Sequence, residues 1–138
     1  MKYEIFKTIP HRRVVSKQGN DEEIFDLYQC GLFNNHATEE NVELVALQPE
    51  SAYQTHYHEE SAAVIYIISG IGIFQLAEKF INYKPGMRFT IPAAVLHGFT
   101  TKTHTLFLSI QSPPIINTDS GNIDLHYQKG DIHAKKCD

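Results

Sequence analysis

The sequence predicts an all-β domain, a small antiparallel barrel or sandwich, and three observations predict it. Short runs rich in Val, Ile, Phe and Tyr recur between clusters of Gly, Pro, Asn and Ser, which is how strands and their turns are written. Several of these runs alternate apolar and polar residues, the period of a half-buried strand. No long helical periodicity and no internal repeat interrupts them. At 138 residues the chain is one domain by length and can bury a single core.

The first expected strand is Ile24 to Cys30, after the loop Lys17-Gln18-Gly19-Asn20-Asp21 and before a second loop, Gly31 to Glu40, rich in Asn, His and Thr. Asn41 to Gln48 alternates around Val42, Leu44 and Ala46. Ala63 to Ser69 is almost wholly apolar and β-branched, which suits a strand buried on both faces. Gly70-Ile71-Gly72 turns the chain into Ile73 to Leu76, and Lys79 to Tyr83 follows. Lys84-Pro85-Gly86 is a turn, Phe89 to Ile91 a short strand, and Pro92 breaks it. Thr103 to Gln111 is a long final strand that Pro113-Pro114 ends, since neither proline donates to a ladder. Its inward set is either Phe107, Ser109 and Gln111 or Leu106, Leu108 and Ile110, because a slip of one residue exchanges the two. Residues 1–40 thus read as an N-terminal strand and loops, 41–114 as the barrel core and 115–138 as a polar tail with a short strand at Ile123 to Tyr127.

A formal net charge of −4 and the absence of a basic stripe speak against nucleic acid and anionic membranes as partners. His11-Arg12-Arg13 and Lys135-Lys136 are short enough to be solvated surface. No apolar run has the length of a membrane span, and Met1 to Pro10 lacks the core of a signal peptide, so a cytoplasmic protein is expected. Cys30 and Cys137 form no CxxC and are expected to be free thiols.

The chemistry concentrates in Tyr53-Gln54-Thr55-His56-Tyr57-His58-Glu59-Glu60. On a strand, His56 and His58 project from one face about 6–7 Å apart, with Gln54 behind them. Two imidazoles on one face can chelate a metal, and a barrel could bring His97, beyond Pro92, to join them.

In these residues the sequence resembles the cupins, whose motifs are G(X)5HXH(X)3-4E(X)6G and G(X)5PXG(X)2H(X)3N. His56, His58 and Gly70 fit the first; Gly86, Pro92 and His97 fit the second. The likeness covers roughly residues 41 to 112 and implies a jelly-roll barrel, a double-stranded β-helix, working as a homodimer that exchanges its N-terminal strand. Four positions depart from the pattern. Glu50, Ala94 and Thr101 stand at two motif glycines and the final asparagine, and the acidic ligand falls on Ala62 or Ala63.

The resemblance implies a divalent transition metal on His56, His58 and His97. Iron(II) is favoured, with zinc, nickel or manganese as alternatives, and positions stay open for a small-molecule ligand. Without the acid the site keeps the whole dipositive charge, which suits an anionic, chelating substrate. Three-histidine cupins include thiol dioxygenases and a diketone-cleaving dioxygenase, so the first expectation is an iron(II) dioxygenase. A non-catalytic binding module and a cupin isomerase or lyase are the alternatives. Glu60 continues the 54, 56, 58 alternation and is an alternative acidic ligand, unless Glu59-Glu60-Ser61 is the strand's end. Gln54 is the candidate catalytic orienting group and Gln111 a candidate substrate contact. Phe99, on the His97 face, either fills the core or meets the substrate. Tyr53, Tyr57 and Tyr66 fall on the opposite face as packing or interface residues. His11, His36, His104, His126 and His133 have no spacing partner and read as surface or loop residues.

Overall fold

The computed structural model describes residues 8–18, 21–34, 38–116 and 120–127. Within them are eleven strands: β1 (His11–Gln18), β2 (Asp21–Asn34), β3 (Glu39–Leu47), β4 (His56–Tyr57), β5 (Ala62–Ser69), β6 (Gly72–Leu76), β7 (Lys79–Tyr83), β8 (Arg88–Ile91), β9 (His97–Thr101), β10 (Thr105–Ser112) and β11 (His126–Tyr127). They form a six-stranded sheet, β1-β2-β3-β10-β5-β8, and a five-stranded sheet, β11-β4-β9-β6-β7. Every pairing is antiparallel, and the two inner faces enclose the core of a jelly-roll barrel.

The N-terminal region holds more strand than expected. His11–Gln18 carries no clear alternation, yet it pairs with β2 along its whole length. The strand expected at Ile24 to Cys30 runs on to Asn34 and pairs with β3. His11 and Arg13 are not merely solvated, since both hydrogen-bond the buried Asp26 carboxylate across the hairpin.

The core is Val45, Leu47, Ala63, Ile65, Ile67, Phe74, Tyr83, Ile91, Phe99 and Phe107. Phe99 sits at its centre, with ring centroids 4.9 Å from Phe74, 5.4 Å from Tyr83 and 5.0 Å from Phe107. Membership of Val45 and Phe107 fixes two registers. On β10 the inward set is Thr105, Phe107, Ser109 and Gln111. On β3 it is Asn41, Glu43, Val45 and Leu47, while Val42 and Leu44 of the apolar alternation lie half-buried outside. The barrel interior is therefore apolar at one end and polar at the other.

β5 is not buried on both faces. Ala63, Ile65 and Ile67 point inward, while Tyr66 and Ile68 remain 38% and 48% exposed on the outer face. Tyr53 likewise departs from its expected outward placement. Its hydroxyl donates to the Ile24 carbonyl and accepts from the Gln48 amide, and its ring packs edge-on against Phe25 beside the core.

The motif glycines replaced in the sequence keep a glycine's backbone. Glu50 has φ 49° and Ala94 φ 67°, the left-handed region that costs a residue with a Cβ about 1 kcal/mol. Ala94 is held there by its amide, which donates to the His58 carbonyl at 2.6 Å. Strain in this turn is thereby tied to the histidine segment.

Candidate metal centre

β4 is only two residues long, but it fixes the site. His56 lies directly opposite His97 in the β4–β9 pairing, and His58 follows at the strand's end. The ring centroids are 4.3 Å apart for His56 and His97, and 5.1 Å for each of the other two pairs. One ring nitrogen from each histidine lies within 4.8 Å of the others. Among the described residues this is the grouping suited to a metal ion, and no carboxylate belongs to it.

Each ring is held by a hydrogen bond from its Nδ1. His56 donates to the Gln54 carbonyl at 3.2 Å, His58 to the Asp124 carbonyl at 2.6 Å and His97 to the Val95 carbonyl at 2.9 Å. Because a carbonyl only accepts, the proton of each neutral ring sits on Nδ1 and leaves the Nε2 lone pair free. Three neutral imidazoles, each offering a ring nitrogen within 4.8 Å of the others, fit a divalent ion. Bound imidazole nitrogens lie about 2.1 Å from such an ion.

Burial keeps these rings neutral. It is the main cause that lowers His56 to about 3 and His97 to about 4, and the neighbouring imidazoles add to it. His58 is lowered by the same desolvation, partly offset by its bond to Asp124. In the metal-free chain the unfolded imidazoles titrate near 6.5 and bind protons that the folded ones refuse. Stability is therefore present above about pH 6.5 and falls as pH drops toward the folded values, by up to about 1.4 kcal/mol per pH unit per histidine. Urea midpoints of the metal-free protein should be clearly lower at about pH 5 than at about pH 7.5. Equal midpoints would contradict the buried, neutral triad.

Residues expected to form a polar tail complete the site. Ile116 bridges Ile123, and β11 pairs with β4, laying residues 120–127 across the histidine end of the barrel. The Asp124 carboxylate accepts from the amides of Glu59, Glu60 and Ser61 at 2.7, 2.9 and 3.0 Å. Its burial alone would raise its pKa, but these donors outweigh that and hold the carboxyl below its ordinary range. His126 is no stray surface histidine. It lies 3.2 Å from Asp124 Oδ1 and stacks on Tyr57 with centroids 5.1 Å apart. Tyr127 approaches His56, ring to ring at 6.0 Å.

The remaining expected residues are placed as follows. Gln54 precedes β4; its carbonyl orients His56 and its amide donates to the buried Glu23 carboxylate. Glu60 is exposed in the bend after β4, so it does not continue the strand's inward face. Gln111 is buried at the polar end of the interior, and Phe99 lies deeper, in the aromatic core. Cys30 is an exposed free thiol, and His104 is exposed in the loop before β10. His36, His133 and Cys137 lie outside the described residues. An open groove of about 630 Å³ outside the barrel, lined by Gln75, Glu78, Phe80, Val95 and Leu96 among others, includes none of the three histidines. Among the described residues no helix is long and apolar enough to cross a membrane.

The two sheets and the histidine triangle define the class: the chain belongs to the cupin superfamily. Residues 43–110 match the family model described as Cupin domain. A predicted oxalate decarboxylase from Thermotoga maritima superposes with a TM-score of 0.63 at 22% identity, over 79% of this chain and 96% of that one. A cupin-2 domain protein from Rhodospirillum rubrum gives 0.63 at 14%, over 93% and 82%. KdgF from Halomonas sp. gives 0.59 at 17%, over 78% and 92%. At these identities the likeness concerns the fold alone. The chain spans 51% of one further matched structure, at a TM-score of 0.48 that carries no argument. No curated protein matches the chain.

Proposed function

We propose that this chain is a metal-dependent cupin enzyme, an iron(II) dioxygenase of a small chelating substrate, with zinc, nickel or manganese as the alternative ions. The observation that carries the reading is the common arrangement of His56, His58 and His97, each fixed through Nδ1 with Nε2 free. When bound, iron(II) would supply a Lewis-acidic centre for the substrate and a redox-active site for oxygen, the net electrons coming from the substrate that is oxidised. The chain contributes three neutral ligands, so the ion keeps its full charge toward an anionic chelate. Gln54 holds the His56 ring through its main-chain carbonyl, and Gln111 lines the polar interior assigned to the substrate. The strap from Ser120 to Tyr127 shields the His56 and His58 side of the site from water.

A second reading, a lyase or isomerase that needs no oxygen, is favoured by the buried carboxylate of Glu43 on the polar inner face. Such a group can take and return a proton. The fold likeness to a protein described as a predicted oxalate decarboxylase is compatible with it. The assembly proposed under either reading is a homodimer that covers the outer face around Tyr66 and Ile68.

The test is oxygen uptake by the iron-reconstituted protein with diketones, thiols and phenols, after native mass spectrometry has counted ions and subunits. The dioxygenase reading predicts about one oxygen consumed per substrate molecule and a dimer with one ion per chain. Turnover that continues without oxygen would contradict it in favour of the second reading.

A further inference from the structure

One buried charge is not used by the metal ligands. Glu43 is 8% exposed, and it shares the inner face with Asn41, Ser109 and Gln111, at 7%, 5% and 4%. These four residues come from neighbouring rows: Asn41 pairs with Gln111, and Glu43 with Ser109. Gln111 and Ser109 pair in turn with Ala63 and Ile65 of β5.

The row sits at the histidine end of the barrel. His58 leads through the bend at Glu59–Ser61 directly into β5, and the Ser61 hydroxyl donates to the Pro113 carbonyl at 2.6 Å, just past Gln111. The polar half of one sheet therefore lies at the same end as the three imidazoles of the other.

The hydrogen bonds in this row run one way. Gln29 Nε2 donates to Asn41 Oδ1 at 3.1 Å, and Asn41 Nδ2 donates to Gln111 Oε1 at 3.2 Å. Gln111 Nε2 then donates to Glu43 Oε1 at 2.8 Å and to Ser109 Oγ at 3.1 Å. Glu43 is the terminal acceptor. A carboxylate offers about four acceptor positions, and this one receives a single donor from the described residues. No sealed polar side-chain atom among the described residues lacks a partner, so the second oxygen of Glu43 borders solvent-accessible space. Among the described residues no cation lies beside this largely buried carboxylate, so its open oxygen is free to take a donor from a ligand in place of water.

The geometry points to Glu43 as the substrate-recognition carboxylate of this site, positioned by Gln111, Asn41 and Ser109 to accept a hydrogen from a hydroxyl on a ligand whose other end chelates the metal. The inference rests on the metal reading above and narrows its substrate class to hydroxylated chelating acids. The three amides of the row direct donors along the chain toward Glu43, whose second oxygen receives none of them, so a donor from the ligand is what it can still accept. An apolar or purely anionic tail would leave that acceptor unfilled, and an anionic one would also be repelled.

The test uses the cobalt(II)-loaded chain, titrated with glycerate and with lactate and followed by the visible absorption of the ion. The two acids share their chelating end and differ by one hydroxyl. Glycerate should bind about tenfold more tightly, the worth of one hydrogen bond to a charged group. In Glu43→Gln the preference for glycerate over lactate should fall to within about twofold. Equal affinities in the native chain, or a preference that survives the substitution, would overturn the inference. Should Glu43→Gln fail to fold, Glu43→Asp keeps the charge but withdraws it by one methylene. Loss of the preference is expected there too, and an unchanged preference would overturn the role. A native chain that takes up no cobalt overturns the metal reading itself and this inference with it, an outcome distinct from failure at Glu43.

Discussion

His97→Ala is expected to abolish turnover and to lower affinity for a divalent ion by more than about 100-fold, with the fold intact. Even a residue that only orients a metal ligand is worth about 10–100-fold in affinity, and His97 is itself one of three ligands. Two imidazoles, His56 and His58, would remain, and the first of these would lose the ring opposite it in the β4–β9 pairing. The cost to folding should be small by comparison. His97 is 5% exposed and its one hydrogen bond is local, to Val95 two residues back. Its loss leaves a modest cavity and one carbonyl to rehydrate, about 1–2 kcal/mol. The variant should also lose less stability on acidification, because one of the rings that refuse protons is gone. Metal titration beside far-ultraviolet circular dichroism checks both halves, and unchanged turnover would rule out the mechanism.

Asp124→Ala is expected to be the most damaging substitution outside the triad. It removes the acceptor of three amides, those of Glu59, Glu60 and Ser61, and Ser61 is 1% exposed. Charge-assisted bonds of this kind are each worth about 1.5–3 kcal/mol but do not add fully, so a loss of about 2–4 kcal/mol in unfolding free energy is expected. The bend they fix is the segment that joins His58 to β5. With the strap loosened, the carbonyl of residue 124 no longer holds His58, and metal affinity should fall about 10–100-fold. Asp124→Asn should be intermediate, because its carboxamide presents donors where the amides of the bend also donate. Urea unfolding with and without metal measures both effects; unchanged values in Asp124→Ala would show that the strap is no part of the centre.

The triad was legible in the sequence because two separate regularities named it. Strand alternation put His56 and His58 on one face, and the spacing from Gly86 through Pro92 reached His97. The replaced motif glycines were legible as departures, and the positive φ of Glu50 and Ala94 explains why glycine suits those positions. Glu43 was hidden by its own surroundings. Apolar Val42, Leu44 and Ala46 suggested the wrong inner face for β3, since half-buried outer residues of a sheet are as apolar as inner ones. Asp124 was hidden because its partners are backbone amides more than sixty residues away, which carry no side-chain signature. β1 escaped because His11-Arg12-Arg13 reads as solvated surface, although Asp26 on the neighbouring strand pairs with two of the three. Gln54 was read through a strand that begins only at His56, so its main-chain carbonyl, rather than its side chain, is what meets the triad.

The central claim is that three imidazoles hold one metal ion, and elemental analysis tests it most directly. The untagged protein, purified without chelators, is measured beside His56→Ala/His58→Ala. About one equivalent of a divalent transition metal per chain, absent from the double variant, is the result predicted. No metal in the native chain even after reconstitution with iron(II), or equal metal in both proteins, would contradict it.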